Sequence, residues 1–179
     1  MNGQTKKLIL VVLLAAAWAS SPLAELPVPG DSGYFEMDSV LITLERTACF
    51  GACPIYRVSI AGSGNVVYKG LEYVKAIGIH EKRIPVRDVV SLLNEFLRVR
   101  FFDALDRYEN LQSLRLQGGD KLQLLESGVD DVPSTILTLQ IGPHKKTVVL
   151  YDNYPLELKE LADTVDRVSG ALEWAQEPR

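Results

Sequence analysis

The chain predicts an α+β fold, a two-layer sandwich in which an antiparallel sheet of four to five strands carries two helices on one face. Three observations predict it. From Val40 onward, short segments alternate apolar and polar residues at period two. Two later segments space their apolar residues three and four apart, as the buried stripe of a helix does. The order of these elements is hairpin then helix, twice over, and such elements satisfy their apolar faces by stacking both helices on one side of the sheet.

The chain opens with Lys6-Lys7 and then the apolar run Leu8 to Ala19, the charged-then-apolar order of a secretory signal. That run is twelve residues long, whereas a spanning helix needs about twenty. A cleaved signal over residues 1–19 is therefore expected, with no stable membrane span afterwards. Ala17-Trp18-Ala19 supplies the small-x-small pattern for cleavage before Ser20, and cleavage after Ala24 is the alternative. Residues 20–38 carry Pro22, Pro27, Pro29, Gly30 and Gly33 without an apolar period and read as a flexible leader. Residues 39–176 then form a single domain, a length that supports one hydrophobic core.

The first strand is expected at Leu41-Ile42-Thr43-Leu44-Glu45-Arg46, running into the turn Cys49-Phe50-Gly51-Ala52-Cys53-Pro54. Tyr56, Val58 and Ile60 alternate with Arg57 and Ser59, Gly62-Ser63-Gly64 turns the chain, and Val66-Val67-Tyr68 returns. A further short strand falls between Tyr73 and Ile84. Pro85 suits a first helical turn, and Val86, Val89, Val90, Leu93, Phe96 and Leu97 make the first helical stripe. The glycine-bearing stretch from Glu109 to Val132 reads as a long loop with one short helix near Lys121 to Glu126. Thr135 to Ile141, the turn Gly142 to Lys146, and Thr147 to Asp152 form the second hairpin. Pro155 opens the second helix, with Leu158, Leu161, Val165, Val168 and Leu172 on one face. The opposite sheet face is expected to be half polar, from Arg57, Ser59, Thr138 and Gln140.

Charge narrows the partners. Without Lys6 and Lys7 the balance is 17 basic against 23 acidic residues, a net of −6. Lysines and arginines are scattered, so the basic stripe of a nucleic-acid binder is missing, and an anionic membrane surface is disfavoured for the same reason.

The stretch Ile42 to Tyr56, with its Glu-Arg-Thr-x-Cys-Phe-Gly-x-Cys-Pro-x-Tyr pattern, resembles the signature of an exported bacterial family catalogued as domain of unknown function six-four-three-eight. Val67-Tyr68-Lys69-Gly70, Asp131-Val132-Pro133-Ser134-Thr135, Lys146-Thr147-Val148 and Tyr154-Pro155 with Leu158 extend the resemblance over roughly Val40 to Trp174. It implies a fold family and a compartment outside the cytoplasm, and no activity or catalytic residues.

A search for chemistry finds no complete catalytic constellation, metal set or cofactor cradle. Gly-x-Ser-x-Gly, His-Glu-x-x-His and phosphate-binding glycine loops are all missing from the sequence. His80 and His144 are its two histidines, and His144 reads as a solvated turn residue. Glu126, Asp130 and Asp131 offer carboxylates for calcium or acid/base work, but carboxylates on an exposed loop are mostly solvated. Tyr151-Asp152-Asn153-Tyr154 reads as a strand end followed by a helix cap, with Asn153 or its neighbour as the acceptor. Cys49 and Cys53 are the chain's two cysteines, and in an oxidising compartment they are expected to pair. Three intervening residues permit the bridge, and a structural role is favoured over a redox one because redox pairs more commonly use a two-residue gap. The sequence therefore favours an exported, non-enzymatic binding or structural domain of the bacterial envelope, periplasmic or secreted, whose partner is an envelope or secreted protein. The alternative is a periplasmic thiol-disulfide redox protein using Cys49 and Cys53.

Overall fold

The computed structural model describes residues 34–109, 111–127 and 133–175. The expected signal segment, 1–19, and the leader up to residue 33 lie outside the described residues. In chain order the elements are β1 (Val40–Arg46), β2 (Ile55–Ala61), β3 (Asn65–Glu72), β4 (Gly78–Arg83), α1 (Val86–Arg98), β5 (Arg107–Tyr108), β6 (Leu111–Gln117), β7 (Lys121–Ser127), β8 (Thr135–Ile141), β9 (His144–Leu150), α2 (Leu156–Ser169) and the short α3 (Leu172–Ala175).

The fold is α+β, and its main sheet is wider than the sequence suggested. Seven strands run in the order β4-β3-β2-β1-β8-β9-β5, and β6 with β7 forms a separate two-stranded sheet. All neighbours in the main sheet are antiparallel except β5, which adds parallel to β9 through Arg107 and Tyr108 alone. The short strand expected between Tyr73 and Ile84 is β4, at the sheet edge, whereas the two-residue β5 leaves no periodic trace.

Alternation does fix which face is inside. Ile42 and Leu44 of β1, Val58 and Ile60 of β2, Val66 and Tyr68 of β3, Leu137 and Leu139 of β8, and Val148 and Leu150 of β9 are buried in one cluster. Against them lie Val89, Leu92 and Phe96 of α1 and Leu158, Leu161 and Val165 of α2. Each such side chain contributes about 1.5–3 kcal/mol by leaving water. Leu92 belongs to this interface, while Val86, Val90 and Leu97, expected there, sit on the shoulder of α1 and stay exposed. The other sheet face carries Arg57, Ser59, Thr138 and Gln140 interspersed with Leu41, Val67 and Ile79.

Three local readings change. The segment read as a loop with a helix near Lys121 is the β6–β7 hairpin, in which Leu114 faces Leu124 and Leu116 faces Leu122. Gly118 and Gly119, with φ of 61° and 81°, take the left-handed conformations of its three-residue turn, which Asp120 completes. The turn between β8 and β9 is shorter than expected, Gly142-Pro143 alone, which places Lys145 and Lys146 on a strand. The folded part also begins earlier than Val40, since Phe35 and Met37 pack against the core.

Candidate functional site

The inward parity of β1 and β2 carries past their apolar residues to their shared end. Arg46 and Tyr56 are register partners and continue the rows 40-42-44 and 60-58, so both side chains point toward α2. There Asp166, one position beyond the buried Val165, meets them. Its carboxylate receives Arg46 Nη2 at 2.7 Å and Nε at 3.2 Å on one oxygen, and the Tyr56 hydroxyl at 2.8 Å on the other. Arg46 Nη1 donates to Thr135 Oγ1 at 2.8 Å, and Nη2 reaches Asp163 at 3.1 Å. Lys159 closes the chain of charges, 2.7 Å from Asp163.

Burial pushes the Asp166 carboxyl above the usual carboxylate range, against the lowering pull of Arg46 and Tyr56. Burial also works against the Arg46 charge, yet the adjacent Asp166 holds its proton more tightly than water would. These two shifts point opposite ways, one toward a neutral acid and one toward an ion pair. Three donors aimed at one carboxylate decide for the ion pair at neutral pH. Asp163 is more open; burial raises it, but Lys159 and Arg46 together outweigh that and hold it below the ordinary range. Beneath the cluster, the Tyr68 ring lies 5.3 Å from that of Tyr56, and its buried hydroxyl has no hydrogen-bond partner among the described residues. Burial, with Asp166 adding, pushes that hydroxyl up to about 12.

The connection between β1 and β2 is a short disulfide-closed turn. Cys49 and Cys53 are bonded with their Cα atoms 5.8 Å apart, within the usual 4.4–6.8 Å. Gly51 makes the turn at φ 147°, a conformation that a side chain resists, and its N–H donates to the Cys49 carbonyl at 2.8 Å. Thr47 anchors the turn to the start of β8: its N–H donates to the Ser134 carbonyl at 3.0 Å, and its hydroxyl accepts from the Ser134 N–H at 2.9 Å. Phe50 at the tip is 91% exposed.

Between this turn, the start of β8 and α2 lies a cavity of about 370 Å³. Arg46, Tyr56, Asp163, Asp166 and Lys159 form its polar wall, and Cys53, Pro54, Pro133, Leu172 and Ala175 its apolar one. Leu172 and Ala175 reach it because Gly170, at φ 69°, ends α2 and Ala171 N–H bonds back to the Asp166 carbonyl, folding α3 over the opening.

The other residues singled out by sequence fall elsewhere. His80 stacks on Trp174 at 5.8 Å and His144 packs edge-on to Phe35 at 5.9 Å, so neither faces the cavity. Glu126 lies in β7, apart from the cluster, and Asp130 and Asp131 lie outside the described residues. Asn153 is not a helix cap: it takes a positive φ of 49°, and α2 starts after Pro155 with no side-chain cap. Tyr154, from the same segment, does line the cavity. Arg46, Tyr56 and Asp166 went unrecognised as a site. Their available signal was a lone basic residue at an inward strand position and a lone acid within an apolar helical stripe. Among the described residues no group of three or more His, Cys, Asp or Glu is placed to hold a metal ion.

These features define an α+β domain whose central strands end in a disulfide-closed turn over a charge-paired cavity. Residues 40–169 match the family described as Domain of unknown function (DUF6438), and the chain belongs to that family. The matched span runs from the first residue of β1 to the last of α2, so it includes both cysteines, Arg46, Tyr56 and Asp166. No curated protein matches the chain.

Proposed function

We propose that this is an exported, non-enzymatic binding domain of the bacterial envelope that receives its ligand or partner at the Arg46–Tyr56–Asp166 cavity. The observation that carries the reading is the state of the polar groups there. Both Asp166 oxygens and both Asp163 oxygens already accept hydrogen bonds from protein donors, so neither is free as a general base. A rigid, half-apolar concavity with satisfied charges suits recognition. Export rests on the Lys6 to Ala19 pattern and accounts for a disulfide in so short a turn. Phe50, held out on that turn, supplies an aromatic contact of the kind that anchors protein interfaces.

A photo-crosslinking residue in place of Phe50, activated in cells producing the full chain and followed by mass spectrometry, tests this. Repeated recovery of one envelope protein supports it. Recovery of the protein in the cytoplasm with residues 1–19 attached, or turnover by the purified protein that is lost in Asp166→Asn, overturns it.

A second reading, a periplasmic thiol-disulfide redox protein using Cys49 and Cys53, is favoured by the position of Cys53 in the cavity wall, where a bound substrate would meet it. A reduction potential in the range of oxidoreductases, about −270 to −120 mV, supports that reading, and a value below about −300 mV assigns the bond a structural role.

A further inference from the structure

We infer that the cavity takes an uncharged ligand presenting an amide carbonyl, a peptide group or an N-acetylated sugar, of roughly a dozen non-hydrogen atoms. The inference rests on the binding reading above and names the chemistry that this site would recognise. Three features of the lining lead to it.

The first is charge. The lining contains two cations, Arg46 and Lys159, and two anions, Asp163 and Asp166. Each cation lies within 3.1 Å of a carboxylate oxygen. An anionic ligand drawn to either cation meets a carboxylate at nearly the same distance, and a cationic ligand meets the reverse. The site is selective against both signs.

The second is hydrogen-bonding capacity. Of about four lone-pair sites on each carboxylate, Asp166 uses three and Asp163 two, which leaves fewer open acceptors than open donors. Arg46 uses four of its N–H directions within the protein: Nε, one on Nη1 and two on Nη2. A guanidinium has five, which leaves one on Nη1. The Thr135 hydroxyl accepts from Arg46 and keeps its own proton to give. Lys159 uses one of its three N–H groups, on Asp163, and Tyr154 adds a hydroxyl at the rim. A site with more open donors than open acceptors selects a ligand that offers oxygen lone pairs. Among neutral groups the amide carbonyl is the strong acceptor.

The third is shape. At about 30 Å³ per water, a volume of about 370 Å³ holds roughly twelve, the size of an N-acetylated amino acid amide or one acetamido sugar. Pro54, Pro133, Leu172, Ala175 and the disulfide sulfur of Cys53 offer the methyl of an acetyl group or a small side chain an apolar wall.

Titration of the exported protein, followed by nitrogen-proton NMR, with N-acetylalanine methylamide, N-acetylglucosamine, glucose and acetate tests the inference. Saturable shifts at the Arg46 Nε–H and the Thr47 and Ala175 amides are expected with one or both N-acetyl probes. The alanine probe alone indicates a peptide source, and the sugar alone an acetamido-sugar source. Lys159→Gln and Tyr154→Phe are each expected to weaken the effective probe about fivefold while leaving the melting temperature within a degree or two. Acetate binding more tightly than either neutral probe, or glucose matching N-acetylglucosamine, overturns the inference. If no probe binds while crosslinking through Phe50 still captures a partner, the inference fails and the binding reading stands. If neither occurs, both fail.

Discussion

Removing the Arg46 guanidinium while leaving Asp166 in place is the most direct probe of how this domain is held together. The Asp166 side chain is 4% exposed and that of Arg46 24%. In Arg46→Met the methionine fills most of the same space, but the carboxylate keeps only the Tyr56 hydroxyl as a donor. A buried charge deprived of its partner costs about 3–5 kcal/mol. Asp163 adds little, because it keeps Lys159 at 2.7 Å and is half exposed. For a domain of this size 1 kcal/mol moves the melting temperature by about 3–5 °C, so a fall of about 10–25 °C is expected. Asp166→Leu is milder, about 1–3 kcal/mol, since Arg46 has open surface to rehydrate through. The double variant Arg46→Met/Asp166→Leu recovers most of the loss, because a buried pair replaced whole by apolar groups is close to neutral. Urea unfolding followed by far-ultraviolet circular dichroism measures all three. If Arg46→Met costs less than about 1 kcal/mol, or the double variant loses the full sum of the singles, the pair is not the buried ion pair described above.

Other outcomes follow from the same geometry. Reducing Cys49–Cys53, which closes a loop of about five residues, should cost about 2 kcal/mol, seen as a lower urea midpoint with an unchanged slope. Raising the pH tests the buried tyrosines: Tyr68 ionises near 12 in the fold against 10.0 in the unfolded chain, and Tyr56 is raised further. Their contribution is complete below pH 10 and is lost as pH rises through 12, so tyrosinate absorbance at 295 nm should appear in two steps. The second step should coincide with loss of far-ultraviolet circular dichroism; a single step complete before unfolding contradicts the burial of both hydroxyls. Limited trypsin digestion should cut after Arg115 and Lys121 in the exposed β6–β7 hairpin before any site in α1, and first cleavage at Arg87 contradicts that order. Gly64→Ala should destabilise strongly, since φ is +87° and the added Cβ would stand 2.2 Å from the Ile84 carbonyl oxygen; an unchanged melting temperature refutes that packing.

Much of the fold was legible because its elements obey simple periods. Both helices, the two main hairpins and the central strand follow directly from alternation at two or at three and four. The β6–β7 hairpin does carry period-two alternation, in Leu114-Arg115-Leu116 and Leu122-Gln123-Leu124 about the glycine turn, but the stretches are short and the leucines stay exposed, so no burial in the core reinforces the pattern. The site was less legible than the fold. The cysteine turn is local and could be read in one stretch, but Arg46 and Asp166 lie 120 residues apart. Their meeting depends on β1 and α2 sharing the same layer interface, which no single segment reveals. Asp166 is buried because it borders the stripe of Leu158, Leu161 and Val165, and nothing local distinguishes it from the other charges of α2.

The placement of β1 also governs the order in which the molecule can assemble. β1 pairs on one side with β2, its neighbour in sequence, and on the other with β8, whose Leu139 lies opposite Ile42. The β1–β4 meander can form from local contacts, but the flank of β1 that receives β8 stays open until the later half of the chain arrives. A chain cut short before Thr135 presents Val40 to Arg46 as a bare edge of Ile, Leu and Thr, the kind of edge along which separate chains add to one another. Completion of the polypeptide and protection from aggregation are thus the same event in this fold, and a truncation that spares every residue of the β1–β4 meander is expected to yield insoluble protein.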